Sequence, residues 1–83
     1  MNGFIVSALD KKGDSYYFIS NTNPILWTDD KNKAKVFKSY SNTVYELEDN
    51  FISLTGTINY TNVTSIVILE YVNDVEVGRC KFL

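Results

Sequence analysis

Lys31, Lys33, Lys35 and Lys38 are half of the chain's eight basic residues, and they stand among Trp27, Phe37 and Tyr40. Cations interleaved with aromatic rings could hold a nucleic acid, the lysines on phosphates and the rings on bases. Winding the segment into a helix gives a plainer reading. Lys31, Lys35 and Lys38 then share one solvated face, while Ala34 and Phe37, three apart, share another. The chain also carries a net charge of −2, with Asp29 and Asp30 beside the lysines. Nucleic acid is therefore not the expected partner.

Other chemistry has little to work with. The chain has no His, which removes the commonest general base and metal ligand. Cys80 has no His and no second Cys, and its place in an expected strand reads as a buried structural thiol. The four glycines are scattered and form no phosphate loop. Asp29 with Asp30 suits a helix start, and Glu46, Glu48 and Asp49 suit a solvated helix end. The expectation is a non-enzyme with no catalytic, metal or cofactor site.

The elements that would position any site come from the patterning. With 83 residues, 45% of them apolar, one domain over 1–83 is expected. No apolar run approaches the roughly 20 residues of a membrane helix, and the start carries no basic leader. A single cysteine fits a reducing cytoplasm.

"GFIVSAL" and "SYYFIS" around the polar "DKKGD" predict a hairpin. "NTNP" breaks the sheet. Thr28 is expected to cap a helix that ends near "SYSN", with Trp27 anchoring it to the sheet. Val44, Leu47 and Phe51 suggest a second short helix over about 42–50. "ISLTGTINYT", residues 52–61, alternates as a half-buried strand does. "SIVILEYV", an Asn73–Asp74 turn and "VEVGRCKFL" predict a closing hairpin. The fold class is α+β: a five-stranded, mainly antiparallel sheet with one or two helices on one face, in the order β-β-α-(α)-β-β-β.

Pairing Val72 with Val75 sets a register for that hairpin. Val67, Leu69, Tyr71, Cys80 and Phe82 then form a core face under Ala34 and Phe37. Ile66, Ile68, Val75 and Val77 mix with Glu70 and Arg79 on the other face. This apolar patch with a charged rim is the expected partner-binding surface, with Trp27 as a further candidate. A slip of one residue would exchange the faces.

Tyr17, Phe18 and Ile19, then Trp27, Thr28 and Asp30, then Lys33, Ala34, Phe37 and Ser39 form a pattern of the type Y-[FL]-[IV], W-T-x-D, K-A-x-x-[FY]-x-S. It resembles a pattern in small uncharacterised proteins of phages and prophages of low-GC Gram-positive bacteria, and covers less than half the chain. The resemblance implies a phage or prophage origin, so that the cytoplasm expected from the single cysteine is that of the host cell. Small acidic phage proteins of this kind often inhibit host machinery, anti-CRISPR proteins among them. The expected function is thus a non-catalytic protein-binding module: an inhibitor of a host defence or replication protein. Its alternatives are a self-associating scaffold, which would place a homodimer on the patch, and a nucleic-acid or nucleotide binder using the lysine face.

Overall fold

In a computed structural model, residues 1–20, 26–49 and 65–82 are described. Among them, five strands form one antiparallel sheet: β1 (Gly3–Leu9), β2 (Ser15–Ser20), β3 (Leu26–Thr28), β4 (Ser65–Val72) and β5 (Val75–Lys81). Their spatial order is β3-β2-β1-β4-β5, so the first strand lies at the centre. One helix, α1 (Tyr40–Asp49), packs on one face. The α+β class with an antiparallel sheet is as the patterning predicts. The element order is not, because β3 precedes the helix. The breaker at 21–24 and the strand expected at 52–61 lie outside the described residues.

Both expected hairpins form. Between β1 and β2 the buried Asp10 carboxylate accepts the N–H groups of Lys12 at 2.9 Å and Asp14 at 3.0 Å. The same loop uses Gly13 at φ 86°, a conformation glycine adopts without strain. At the other hairpin Asn73 and Asp74 have φ 50° and 65°, the positive pair that suits a tight two-residue turn.

The helix expected after Thr28 is absent. Thr28 Oγ1 accepts the N–H of Asp30, and Asp30 in turn caps a single 3₁₀ turn, Lys31–Lys33. The chain then runs extended from Ala34 into a gap in the sheet. The β1–β2 ladder covers Ser7–Ala8–Leu9 against Ser15–Tyr16–Tyr17. Beyond it, the Lys35 N–H donates to Phe18 O at 2.9 Å, and Phe37 exchanges two backbone bonds with Phe4 at 2.8 and 2.9 Å. Residues 35–37 thus lie between the diverging ends of β1 and β2, and supply the partners those strands no longer give each other.

The extended segment has period two, not 3.6. Ala34 packs with Ile5, Leu69 and Tyr71 on one side of the sheet. Phe37 packs with Val6, Phe18 and Leu47 on the other, which is the helix side. Lys35 also turns to the helix side, its Nζ 3.5 Å from Glu46 Oε1 on α1. The lysines accordingly do not form a stripe. Gly3 makes the approach feasible: a Cβ there would stand 2.4 Å from Phe37 O and 2.7 Å from Val36 Cγ1, and its φ is 137°.

"SYSN" starts a helix and does not end one. Ser39 Oγ accepts the N–H of Asn42 at 3.1 Å, the side-chain cap of α1. Thr43 and Leu47, four apart, are the fully buried positions of α1, and Val44 packs beside them. Trp27 is half-buried in β3 with its ring edge-on to Phe18, centroids 6.0 Å apart. It anchors a strand to the core and not a helix.

In β4 the faces are the reverse of those expected, whereas Cys80 and Phe82 do lie on the helix side and Arg79 on the other. Ile66 and Ile68 are buried under α1 with Val6, Ala8 and Phe18. Val67, Leu69 and Tyr71 look to the opposite side. The expected register also fails. Glu70 pairs with Gly78 and Tyr71 with Glu76, so Val77 is an extra residue, a β-bulge in β5. Past the bulge, Ile68 faces Cys80 and Leu69 faces Arg79, one residue away from the unbulged pairing.

Two stability tests follow. Ile68→Ala should cost about 2–5 kcal/mol as a buried truncation, whereas the exposed Val77→Ala should stay within about 0.5 kcal/mol. Urea denaturation of both variants checks the face assignment. Gly3→Ala should cost about 1–3 kcal/mol or more through strain against residues 35–37, and thermal unfolding checks the insertion.

Candidate functional site

The side of the sheet away from α1 forms a shallow basin of about 280 Å³. Its rows follow from the strand registers. Leu9 stands between Ser15 and Ser65 at one end. Ser7 stands between Tyr17 and Val67 in the next row, and Lys81 continues that row on β5. Ile5, Leu69 and Arg79 follow, then Gly3, Tyr71 and Glu76. Small Ser7 between larger neighbours makes the depression, and Leu9, Val67 and Leu69 give it an apolar floor.

The charged end depends on the bulge. In a regular strand Glu76 and Arg79, three apart, would point to opposite faces. The extra residue at Val77 brings them to the same face, opposite Tyr71 and Leu69. There Arg79 Nε and Nη2 donate to Glu76 Oε2 and Oε1, both at 2.9 Å. This two-point geometry is the strong form of a guanidinium–carboxylate pair. The hydrogen bond from Arg79 holds the Glu76 carboxyl below its ordinary value, and the charges of Arg79 and Lys31 act the same way. Lys31, delivered by the 3₁₀ turn, sets its Nζ 4.9 Å from the centre of the Tyr71 ring. Contact with the Tyr71 side chain raises the Lys31 ammonium above its ordinary value.

The residues expected to bind a partner do not come together. Ile66 and Ile68 are core. Glu70 is half-buried and opposite Gly78, away from the basin. Val75 and Val77 are exposed in β5, at 60% and 56%. Arg79 lines the basin, and Trp27 sits in β3 beside the helix-side core. Cys80 is exposed, not buried, with its sulfur 3.3 Å from the Tyr40 hydroxyl. Of the basin residues, Ser7 and Leu9 carry no candidate role in the sequence, while Tyr17 and Lys31 enter it only through the phage pattern and the lysine face. Period two in "GFIVSAL" placed Ser7 and Leu9 on one face, but nothing marked that face as the open one.

Among the described residues, no group of three or more His, Cys, Asp or Glu is placed to hold a metal ion. No helix among them is long and apolar enough to cross a membrane. No protein-family model matches the chain, and neither a curated protein nor a solved structure shows a significant match to it.

The low Glu76 pKa gives a pH dependence with a definite sign. A depressed carboxyl stabilises the fold above its unfolded pKa, and that contribution is lost as pH falls through the folded value. A carboxyl-detected NMR titration should place the Glu76 midpoint below the ordinary glutamate range, and Arg79→Gln should return it upward.

Proposed function

We propose that this chain is a non-catalytic protein-binding module whose working surface is the basin side of the sheet. The observation that supports this reading is the arrangement of that side: an apolar floor of Leu9, Val67 and Leu69, with Lys31, Glu76 and Arg79 at its charged end. An apolar centre with a polar rim is the composition of protein interfaces. The floor residues Leu9 and Val67 are only half-buried among the described residues, so they have accessible surface left to give to a partner.

The wider setting rests on the resemblance of Trp27, Thr28, Asp30, Lys33, Ala34, Phe37 and Ser39 to the phage pattern. On that reading the partner is a host defence or replication protein, and the chain acts by covering part of it. The self-associating alternative would put a second copy on the same surface, isologous across a two-fold axis. The nucleic-acid alternative loses its original support, because Lys35 turns to Glu46 on α1 while Lys31 lies over Tyr71 in the basin.

The tagged chain should capture a defined protein from a low-GC Gram-positive lysate, and nuclease treatment should not release it. Val67→Asn and Leu9→Asn should each reduce capture by about tenfold or more, the scale of an interface hot spot. Tyr45→Ala, on the exposed side of α1, should leave it unchanged. Circular dichroism establishes that each variant is folded. Folded basin variants that still capture the partner, with loss on Val75→Asp or Val77→Asp, would move the interface to the β4–β5 hairpin.

A further inference from the structure

The protein-binding reading can be carried further, to the chemistry of the partner. We propose that the basin receives an acidic segment of the partner protein, and that Glu76 occupies, in the free chain, the seat of the partner's carboxylate. The proposal rests on the protein-binding reading of the same surface.

Three observations carry it. The first is charge. The residues lining the basin include two cations, Lys31 and Arg79, and one carboxylate, Glu76; Lys81 adds a cation in the neighbouring row. The basin lining is therefore net positive in a chain whose net charge is −2. Interfaces pair opposite potentials, which selects an acidic partner over a basic one. The second is the bulge. Without the extra Val77, Arg79 would leave this face or Glu76 would, so the irregularity in β5 is what sets a guanidinium beside the Lys31 end of the basin. The third is the state of that guanidinium. Two of its N–H groups are satisfied by Glu76 at 2.9 Å, while Arg79 remains largely exposed, its side chain at 63%. A carboxylate arriving from outside can take the same two-point geometry, with Lys31 close enough to share its charge.

Glu76 then has two effects. It keeps Arg79 aimed at the basin when no partner is present, and it competes with the partner for the same donors. Removing its charge while keeping its shape should strengthen binding of an acidic segment. Removing either cation should weaken it. A purely structural Glu76–Arg79 pair would give the opposite result for Glu76, since loss of the pair would loosen the site.

The test uses the full chain and a short fluorescein-labelled peptide of alternating glutamate and leucine, read by fluorescence anisotropy at low salt. Controls are the matching lysine–leucine peptide and labelled oligothymidine. The acidic peptide should bind and the basic one should not. Arg79→Gln and Lys31→Gln should each weaken binding by about tenfold, the scale of a charge-assisted hydrogen bond. Glu76→Gln should tighten binding severalfold, while Glu70→Gln, away from the basin, should not. Unchanged or weaker binding by folded Glu76→Gln would overturn the proposal. So would oligothymidine binding more tightly than the acidic peptide with the same dependence on Lys31 and Arg79, which would assign the basin to single-stranded nucleic acid. Failure of the acidic peptide to bind either the parent or Glu76→Gln also overturns it. The protein-binding reading is judged apart, by lysate capture with Val67→Asn and Leu9→Asn.

Discussion

The backbone exchange between Phe4 and Phe37 is the contact on which the rest of the architecture turns. Where β1 and β2 part, each has backbone groups that need partners, and a buried group without one costs about as much as a lost hydrogen bond. Residues 35–37 meet that need from within the plane of the sheet. By doing so they connect its two sides. The 3₁₀ turn before them reaches the basin with Lys31, and the helix after them covers Ile66, Ile68 and Val6. Gly3 is the concession that lets the two backbones come so close, and the Lys35–Glu46 pair braces the segment against α1.

The hairpins were legible in the sequence because local signals set them. β-rich runs flank a Gly-containing loop in one case and an Asn-Asp pair in the other, and both turns formed where those residues stand. The segment after Trp27 was misread because Ala34 and Phe37 fit a helical face as well as they fit two sides of an extended chain. Short segments carry both periods, and it was the free backbone groups of Phe4 and Phe18, distant in sequence, that decided between them. Propensity yielded here to tertiary hydrogen bonding. The helix that did form, over Tyr40–Asp49, is the second one expected, signalled by Val44 and Leu47; its cap, Ser39, belongs to the stretch expected to end the first.

The site was less legible than the fold, for one reason. Face assignment in a hairpin depends on counting residues from the turn, and the count assumed that no residue was extra. Val77 broke it. The bulge exchanged Arg79 and Cys80 between faces relative to the unbulged pairing, and its one mark in "VEVGRC" is Gly78, a strand glycine beside the extra residue. The burial of Ile66 and Ile68 in place of Val67 and Leu69 is a second, separate reversal. Both sets are β-branched or aliphatic, so composition alone could not choose which one lies under the helix. On the side away from α1, Val67 and Leu69 stand where Ile66 and Ile68 are expected, and Arg79 stands on the side expected for it.

The position of β1 at the centre of the sheet bears on how the chain acquires its structure. Its two neighbours come from very different points in the sequence: β2 follows directly, while β4 begins at Ser65. During synthesis the first hairpin can close early, yet one edge of β1 stays open until most of the chain has been made. Long-range antiparallel pairing of this kind slows folding, because loop entropy is lost before the contacts form. In that interval Ile5, Val6 and Ala8 belong to an exposed strand edge, the species most prone to pair with another nascent copy. Residues 35–37 emerge midway, but they pair with Phe4 on the β2 side of β1 and leave that edge open until β4 arrives. The strand order thus makes β1 both the first strand synthesised and the last to gain its second neighbour.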